Sequence, residues 1–258
     1  MTGTYINSIA VSYPPNKYTQ EQYMKAYIRH NKCDASFVER VFKNTEIETS
    51  YSFLDEDNLF RKMDRNEYMV YIKKGLKDMA VRAVSDCVHE SQISSITHII
   101  WGSMTGGIYA PTMDIELINH FGMSPYTKKL NVENMGCLTG FRCLEIASMY
   151  AKESGAKVLV VVADIRSVLG NSFNQLCTDT ESKSNVIIGS LFRDSCCACV
   201  VSSDGPYLYE IISHKSFIIP NTISLVQYSD YNDHISLMIS KDLPNTICKY
   251  LPNIVSTL

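Results

Sequence analysis

The chain has 258 residues, 45% of them hydrophobic and 20% charged, with a formal net charge of −3. That composition is ordinary for a globular chain with room for one large domain or two small ones, and the acidic balance argues against a general nucleic-acid binder. No apolar run is long enough to span a bilayer, and the first ten residues lack a basic segment followed by an apolar core. Nine cysteines are too few, and odd in number, for a disulfide scaffold of this size. Reduced thiols in a cytoplasmic protein are the expectation.

Residues 3–12 alternate apolar and polar side chains and read as a strand, stopped by Pro14-Pro15. Thr19 is an N-cap candidate for a helix over 20–30, with Tyr23, Ala26 and Tyr27 on one face. A second helix is predicted over 35–43, followed by a turn and a short extended piece over 44–54. Met69, Ile72, Leu76, Met79, Ala83 and Cys87 form a stripe at helical spacing, with Lys73, Lys77 and Arg82 off it. Residues 96–102 read as a strand and 103–107 as a permissive loop. A helix over 112–120 follows, with Asp114 and Glu116 in its first turn and Gly122 as its stop.

Residues 128–132 form a brief strand that leads into Asn134-Met135-Gly136-Cys137-Leu138-Thr139-Gly140-Phe141. Leu138, Phe141, Leu144, Ala147 and Tyr150 recur at helical spacing, so a helix should begin at or near Cys137 and end near Gly155. A thiol at a helix N-terminus faces the positive end of the dipole, which favours the thiolate. Cys137 is therefore a candidate nucleophile. On this stretch alone a core cysteine is the commoner explanation. The β-branched run 157–163 suits a strand buried on both faces. Residues 171–185 are polar and loop-like. Strands are predicted over 194–203, 207–217 and 234–240, and a terminal helix over 242–258 carries Pro244 in its first turn. Strands alternating with helices, with no evident linker, indicate one α/β or α+β layered domain over 1–258.

Other clusters carry less. Cys196-Cys197-Ala198-Cys199 lacks the second pair or the histidines that zinc spacing requires, so small buried hydrophobes are expected there and no metal site is assigned. The six histidines, at 30, 89, 98, 120, 214 and 234, are scattered. Arg40 and Lys43 form a small basic pair able to meet a phosphate, or simply a solvated helix face.

Several separated segments together resemble the N-terminal half of type III polyketide synthases, the chalcone and stilbene synthase family of the thiolase fold. Residues 44–51, NTEIETSY, are similar to the family's "NSGIETRY". Ile96-Thr97-His98, Thr105-Gly106 and the stretch from Ala110 to Asp114 follow its "ITHL" and "PG" elements. His120-Phe121-Gly122-Met123-Ser124-Pro125 resembles "HLGLSP", Gly136-Cys137 the "GC" element, and residues 156–161 "ARVLVV". Leu191-Phe192-Arg193-Asp194-Ser195 stands where "LFGDG" is expected, and residues 240–244 resemble "LKDVP".

The resemblance implies a layered α-β-α, thiolase-like N-terminal half with a mixed five-stranded-type sheet and helices on both faces. It implies that Cys137 accepts an acyl group from acyl-CoA for decarboxylative condensation with malonyl-CoA, both thioesters being substrates and no cofactor being needed. By the same resemblance, Arg40 stands at a position that binds CoA phosphates, with Phe37 and Asn44 at the others and Lys43 beside them. Thr105 falls in a substrate-binding loop. Gln175 and Leu237 stand where the family places bulky residues between tunnel and cavity, and Ala110 where a side chain often enters the partner subunit. Arg193 and Ser195 replace glycines. The family's catalytic His and Asn belong to a C-terminal half that this chain is expected to lack. A homodimer, or association with a second polypeptide, is the expected way to cover the face left open. The alternative is a non-catalytic, truncated paralogue acting as a binding or heterodimer partner.

Overall fold

The β-branched run at 157–163 forms a strand near the centre of the largest sheet, buried along most of its length as its composition demands. The structure is a computed structural model that describes all residues except 1–2, 32–33, 62, 107–109, 168–178, 231–234 and 257–258. In chain order its strands and α-helices are β1 (Tyr5–Ser12), β2 (Asn16–Thr19), α1 (Gln20–His30), α2 (Ala35–Lys43), β3 (Thr49–Ser52) and α3 (Arg65–Cys87). They continue with β4 (His98–Ser103), α4 (Met113–Phe121), β5 (Lys128–Glu133), α5 (Thr139–Tyr150), β6 (Lys157–Asp164) and α6 (Asp179–Leu191). The last are β7 (Ser195–Ser202), β8 (Tyr209–Glu210), β9 (Val226–Asp230), β10 (Ile235–Ile239) and α7 (Leu243–Val255). The chain forms two compact units, each assembled from three segments.

The first unit comprises Met1–Pro15, Val70–Ile165 and Asp194–Ile212. Its sheet runs in the order β5-β4-β6-β7-β1-β8. β4 is parallel to both β5 and β6, whereas β7 is antiparallel to β6 and to β1. The step from β4 to β5 and the step from β5 to β6 run in opposite directions across the sheet. Right-handed crossovers therefore put α4 and α5 on opposite faces. Cys143 and Ala147 of α5, and Ala151 that caps it, pack with Ile100, Val132, Val158, Val160, Cys199 and Val201. Leu159 and Val161, whose side chains alternate to the other face, are equally inaccessible.

The methionine-bearing stripe of α3 is core as expected, with Ile72, Leu76, Met79 and Ala83 all at 0% exposure. Its lysines are not merely a solvated face. Lys73 and Lys77 each place Nζ 2.8 Å from the Glu116 carboxylate on α4, and these contacts hold that carboxyl below its ordinary range.

The second unit comprises Asn16–Met69, Arg166–Arg193 and Ser213–Leu258. Thr19 caps α1 with a full capping box, its side chain accepting from Gln22 N while the Gln22 side chain accepts from Thr19 N. Tyr23, Tyr27, Phe42 and Phe60 form an aromatic core with ring centroids 5.4–6.4 Å apart. Arg193, at a position where the family pattern has glycine, lays its guanidinium 3.4 Å from the Tyr23 ring centroid and donates from Nε to Ser50 Oγ at 3.1 Å. A large cation is thereby accommodated against an aromatic face.

Three expectations need correction. Of the polar stretch 171–185 expected as a loop, residues 171–178 lie outside the described residues, and 179–185 are helical, because α6 begins at Asp179. Its polar first half hides a helix whose second half buries Val186, Ile188 and Ser190. The strand predicted over 207–217 shrinks to β8, which pairs only with Tyr5 and Ile6; Ile212 and Ile218 beyond it are almost fully exposed. A sheet position needs a partner as well as β propensity. β2 and β9 were not anticipated, each being completed by a distant or following strand, β3 and β10. The sheet accordingly has six strands where a five-stranded type was expected, the sixth being the two-residue β8.

His98 opens β4 at 3% exposure, its ring stacked on Tyr150 at 4.7 Å and its Nδ1 2.8 Å from Thr97 Oγ1. Burial, and then Lys128, lower its pKa from 6.5. Glu153, 3.8 Å from Nε2, pulls the other way without prevailing. Above pH 6.5 the imidazole is neutral in both folded and unfolded chains. Below it the unfolded chain takes the proton first, so stability falls with pH until the native imidazole also protonates. His98→Phe keeps the stack and removes the titration. Urea unfolding at pH 7, 6 and 5 should show a shallower loss of stability in the variant than in the wild type.

Candidate functional site

The parallel strands β4, β5 and β6 end at Ser103, Glu133 and Asp164, and Ser103 lies in register with Glu133. Their carboxyl ends therefore share one edge, the edge at which open α/β sheets bind ligands. Cys137 and Thr105 both follow these strand ends directly.

After β5 the chain turns sharply through Asn134 and Gly136, with φ of 58° and 60°. Glycine is suited to that left-handed backbone, and asparagine tolerates it. A 3-10 turn over Gly136–Leu138 then leads into α5 at Thr139. The helix thus starts two residues later than Cys137, and the cysteine rides on its 3-10 entry. Thr139 is buried and donates from Oγ1 to Gly136 O at 2.7 Å. A Cβ on Gly102 of β4 would lie 2.8 Å from both Cys143 Sγ and Thr139 Cγ2, so glycine there lets the first turns of α5 settle directly on the sheet.

Cys137 is exposed and is not a core residue. Cys87, Cys143, Cys196 and Cys199 of the same unit are buried, and Cys197 is half-buried. Burial pushes the Cys143 thiol up to about 12 and raises those of Cys87, Cys196, Cys197 and Cys199. A thiol held protonated is a poor nucleophile, and among the cysteines of this unit Cys137 is the exposed one.

Asp164 was not singled out from sequence. Its Oδ1 accepts from Met104 N at 2.8 Å, Thr105 Oγ1 at 2.9 Å and Ser103 Oγ at 3.2 Å. Thr105 N in turn donates to Ser103 Oγ at 3.0 Å, and Ile165 N donates to Thr105 Oγ1 at 3.1 Å. The loop leaving β4 is thereby tied to the end of β6. The available signal was a lone carboxylate ending an apolar strand, since such a group must find donors. Thr105 is 3% exposed, and its hydroxyl is spent on this network. Met104 Sδ extends the network by accepting from Gly136 N at 2.9 Å, which connects the β4 loop to the turn carrying Cys137.

The remaining candidates belong to the second unit. Arg40 is exposed on α2, its guanidinium 5.5 Å from the Phe37 ring, and Lys43 pairs with Glu39 at 3.7 Å. Leu237 is 8% exposed and lines a cavity with Tyr23, Tyr27, Phe60, Ile188 and Phe192. That cavity measures about 20 Å³, the space of roughly one water. Gln175, His234 and Gly107 lie outside the described residues. Ala110 is exposed.

The histidines of the first unit sit away from the carboxyl edge. His98 opens β4, His89 precedes it, and His120 lies in the last turn of the helix that leads to the start of β5. A six-residue strand spans roughly 16 Å, so no imidazole starting from His98 reaches a thiol beyond the far end. A depression of about 340 Å³ lined by His98, Lys128 and Glu153 opens at that amino edge, remote from the cysteine.

The model of the chalcone and stilbene synthase N-terminal domain matches residues 3–205. The chain belongs to this family. The structure is also similar to the crystal structure of the C-terminal type III polyketide synthase domain of Steely1, a type I/III polyketide synthase hybrid from Dictyostelium. The TM-score is 0.84 at 21% identity, over 99% of this chain and 73% of that one. The mixed sheet with its flanking helices is therefore the thiolase-like fold of an N-terminal type III polyketide synthase-like protein. Among the described residues, no helix is long and apolar enough to cross a membrane.

Thr105→Val preserves shape but removes the hydroxyl that donates to Asp164 and leaves Ile165 N without its acceptor. Denaturant unfolding should show a loss of about 1–3 kcal/mol.

Proposed function

We propose that the chain acts as an acyl-accepting domain of the type III polyketide synthase type. The Cys137 thiolate attacks the carbonyl carbon of an acyl-CoA thioester. A new sulfur–carbon bond forms, the bond to coenzyme A breaks, and the departing CoA thiolate takes a proton. In full condensation malonyl-CoA would then lose carbon dioxide, and its enolate carbon would displace Cys137 from the acyl group. The observation that carries this reading is the exposed thiol at the amino end of α5, on the carboxyl edge of the parallel strands. Arg40, with Lys43 beside it, is assigned to CoA phosphates, and Gln175 and Leu237 to the boundary of the acyl pocket. Thr105 is assigned to shaping the loop after β4. The acyl-CoA thioesters are cytoplasmic metabolites, which fits a cytoplasmic site of action and requires no cofactor or metal.

Condensation also needs a base and oxyanion donors. The described histidines of the first unit do not supply the base from the carboxyl edge. The chain by itself is therefore assigned the acyl-transfer step, with extension strongly impaired, because groups that act as a unit lose orders of magnitude together.

A second reading, a non-catalytic paralogue acting as a binding or heterodimer partner, draws on a separate observation. Leu138, Phe141 and Met149 stand out from α5 at 62%, 74% and 58% exposure. This exposed apolar surface, interrupted by the Arg142–Glu145 ion pair and following directly on the turn that carries Cys137, suits coverage by another polypeptide or a second copy.

Intact-mass measurement after incubation with hexanoyl-CoA tests the first reading. One acyl adduct is expected on the wild type and none on Cys137→Ala; equal labelling of both, or of neither, contradicts it. Size-exclusion chromatography with light scattering at low micromolar concentration should show a dimer or larger species. A stable monomer would count against association with a second copy.

A further inference from the structure

We infer that Met104 is a positioning residue for Cys137, acting through a hydrogen bond from the Gly136 amide to its thioether. The inference rests on the acyl-transfer reading of Cys137 and adds a side chain that the family pattern does not assign.

The argument begins with the Asp164 carboxylate. Its Oδ1 takes the Met104 backbone N–H and the hydroxyls of Ser103 and Thr105. Both hydroxyls of this loop are thereby committed to the end of β6, and Met104 lies between them with its backbone fixed. Its side chain, half-buried, projects the other way along the carboxyl edge and places Sδ 2.9 Å from Gly136 N. A thioether is a weak acceptor, and it is an unusual partner for a backbone amide. Here it is the acceptor in place, while Ser103 Oγ, Thr105 Oγ1 and Asp164 Oδ1 are engaged with one another.

Gly136 is held at both ends. Its N–H goes to Met104 Sδ, and its carbonyl accepts from Thr139 Oγ1 at 2.7 Å. Its φ of 60° is the left-handed conformation that swings the chain from β5 into α5, and a Cβ placed there would meet nothing within 4 Å. The surroundings therefore do not pin this residue by packing; its hydrogen bonds do, the carbonyl also accepting from Thr139 N, which leaves the Met104 thioether as the partner of the amide. Cys137 is the next residue. Releasing the amide frees the turn's φ and ψ, and with them the direction in which the exposed thiol leaves the helix entry. The β4 loop, the end of β6 and the cysteine turn thus form one connected device, with the thioether as its last link.

The test separates position from packing. Met104→Leu keeps the volume and removes the acceptor, whereas Met104→Gln restores a polar acceptor at similar reach. The rate of Cys137 alkylation by iodoacetamide is read by peptide mass spectrometry, so that Cys248 and other reactive thiols are counted separately. Met104→Leu should change the Cys137 rate roughly tenfold, in line with the sensitivity of reaction to small misplacements, with little change at Cys248. Met104→Gln should recover most of the wild-type rate. Equal Cys137 rates in wild type and Met104→Leu would overturn the proposal, as would equal defects in the Leu and Gln variants. If Met104→Leu fails to fold, amide exchange of the wild type decides. A protected Gly136 N–H supports the bond, and one that exchanges at the free-peptide rate removes it. Hexanoyl transfer is followed in parallel. A wild type that accepts no acyl group but shows the Leu-specific alkylation defect would sink the enzymatic reading and leave the positioning role standing. Normal transfer with no Leu effect would do the reverse.

Discussion

One half-buried carboxylate organises the carboxyl end of the parallel strands. Asp164 stops β6, and its Oδ1 gathers three donors from the last residue of β4 and the two that follow it. Two neighbouring parallel strands are in this way locked together at the point where their loops diverge. Hydrogen bonds to a charged acceptor contribute more than neutral ones, and in a partly buried setting they are strongly directional. Without that anchor, Ser103, Met104 and Thr105 would have no fixed relation to the turn after β5.

The second constraint is steric. Gly102 lets α5 approach β4 closely, and small side chains on the helix, Cys143, Ala147 and Ala151, keep it there. The amino end of α5 is therefore rigidly placed over the carboxyl edge, and Cys137 is delivered to solvent at that end. The helix buries some apolar side chains and exposes others, the exposed ones interrupted by the Arg142–Glu145 ion pair. One side fills the core with small residues; the other presents Leu138, Phe141 and Met149 outward.

Much of this was legible in the sequence, for identifiable reasons. The Thr19 cap, the α3 stripe and the β-branched run of β6 are local signals, and the structure places them as read. α6 was missed because its first turn, Asp179-Thr180-Glu181-Ser182, is polar and carries no apolar stripe in the sequence. β8 was overestimated because strand propensity says nothing about whether a neighbour offers an edge. The stripe from Leu138 to Tyr150 marked a helix correctly and its core face in part: Ala147 is buried and Leu144 and Tyr150 pack against the core, whereas Leu138 and Phe141 point outward. At the site, Cys137 could be found from its glycine neighbours and family resemblance. Asp164 and Met104 could not, since their partners lie about 60 and 32 residues away in sequence. Only the parallel register of β4 with β5 and β6 brings those segments to one edge.

Native-state hydrogen exchange at Met104, Thr105 and Ile165 tests the central claim most directly, because each of these amides donates to a side chain of the Asp164 network. The account predicts that all three exchange as slowly as the strand amides of β4 and β6, and that Asp164→Ala releases them together while the strands stay protected. Fast exchange of the three in the wild type, beside a protected β4, would contradict it.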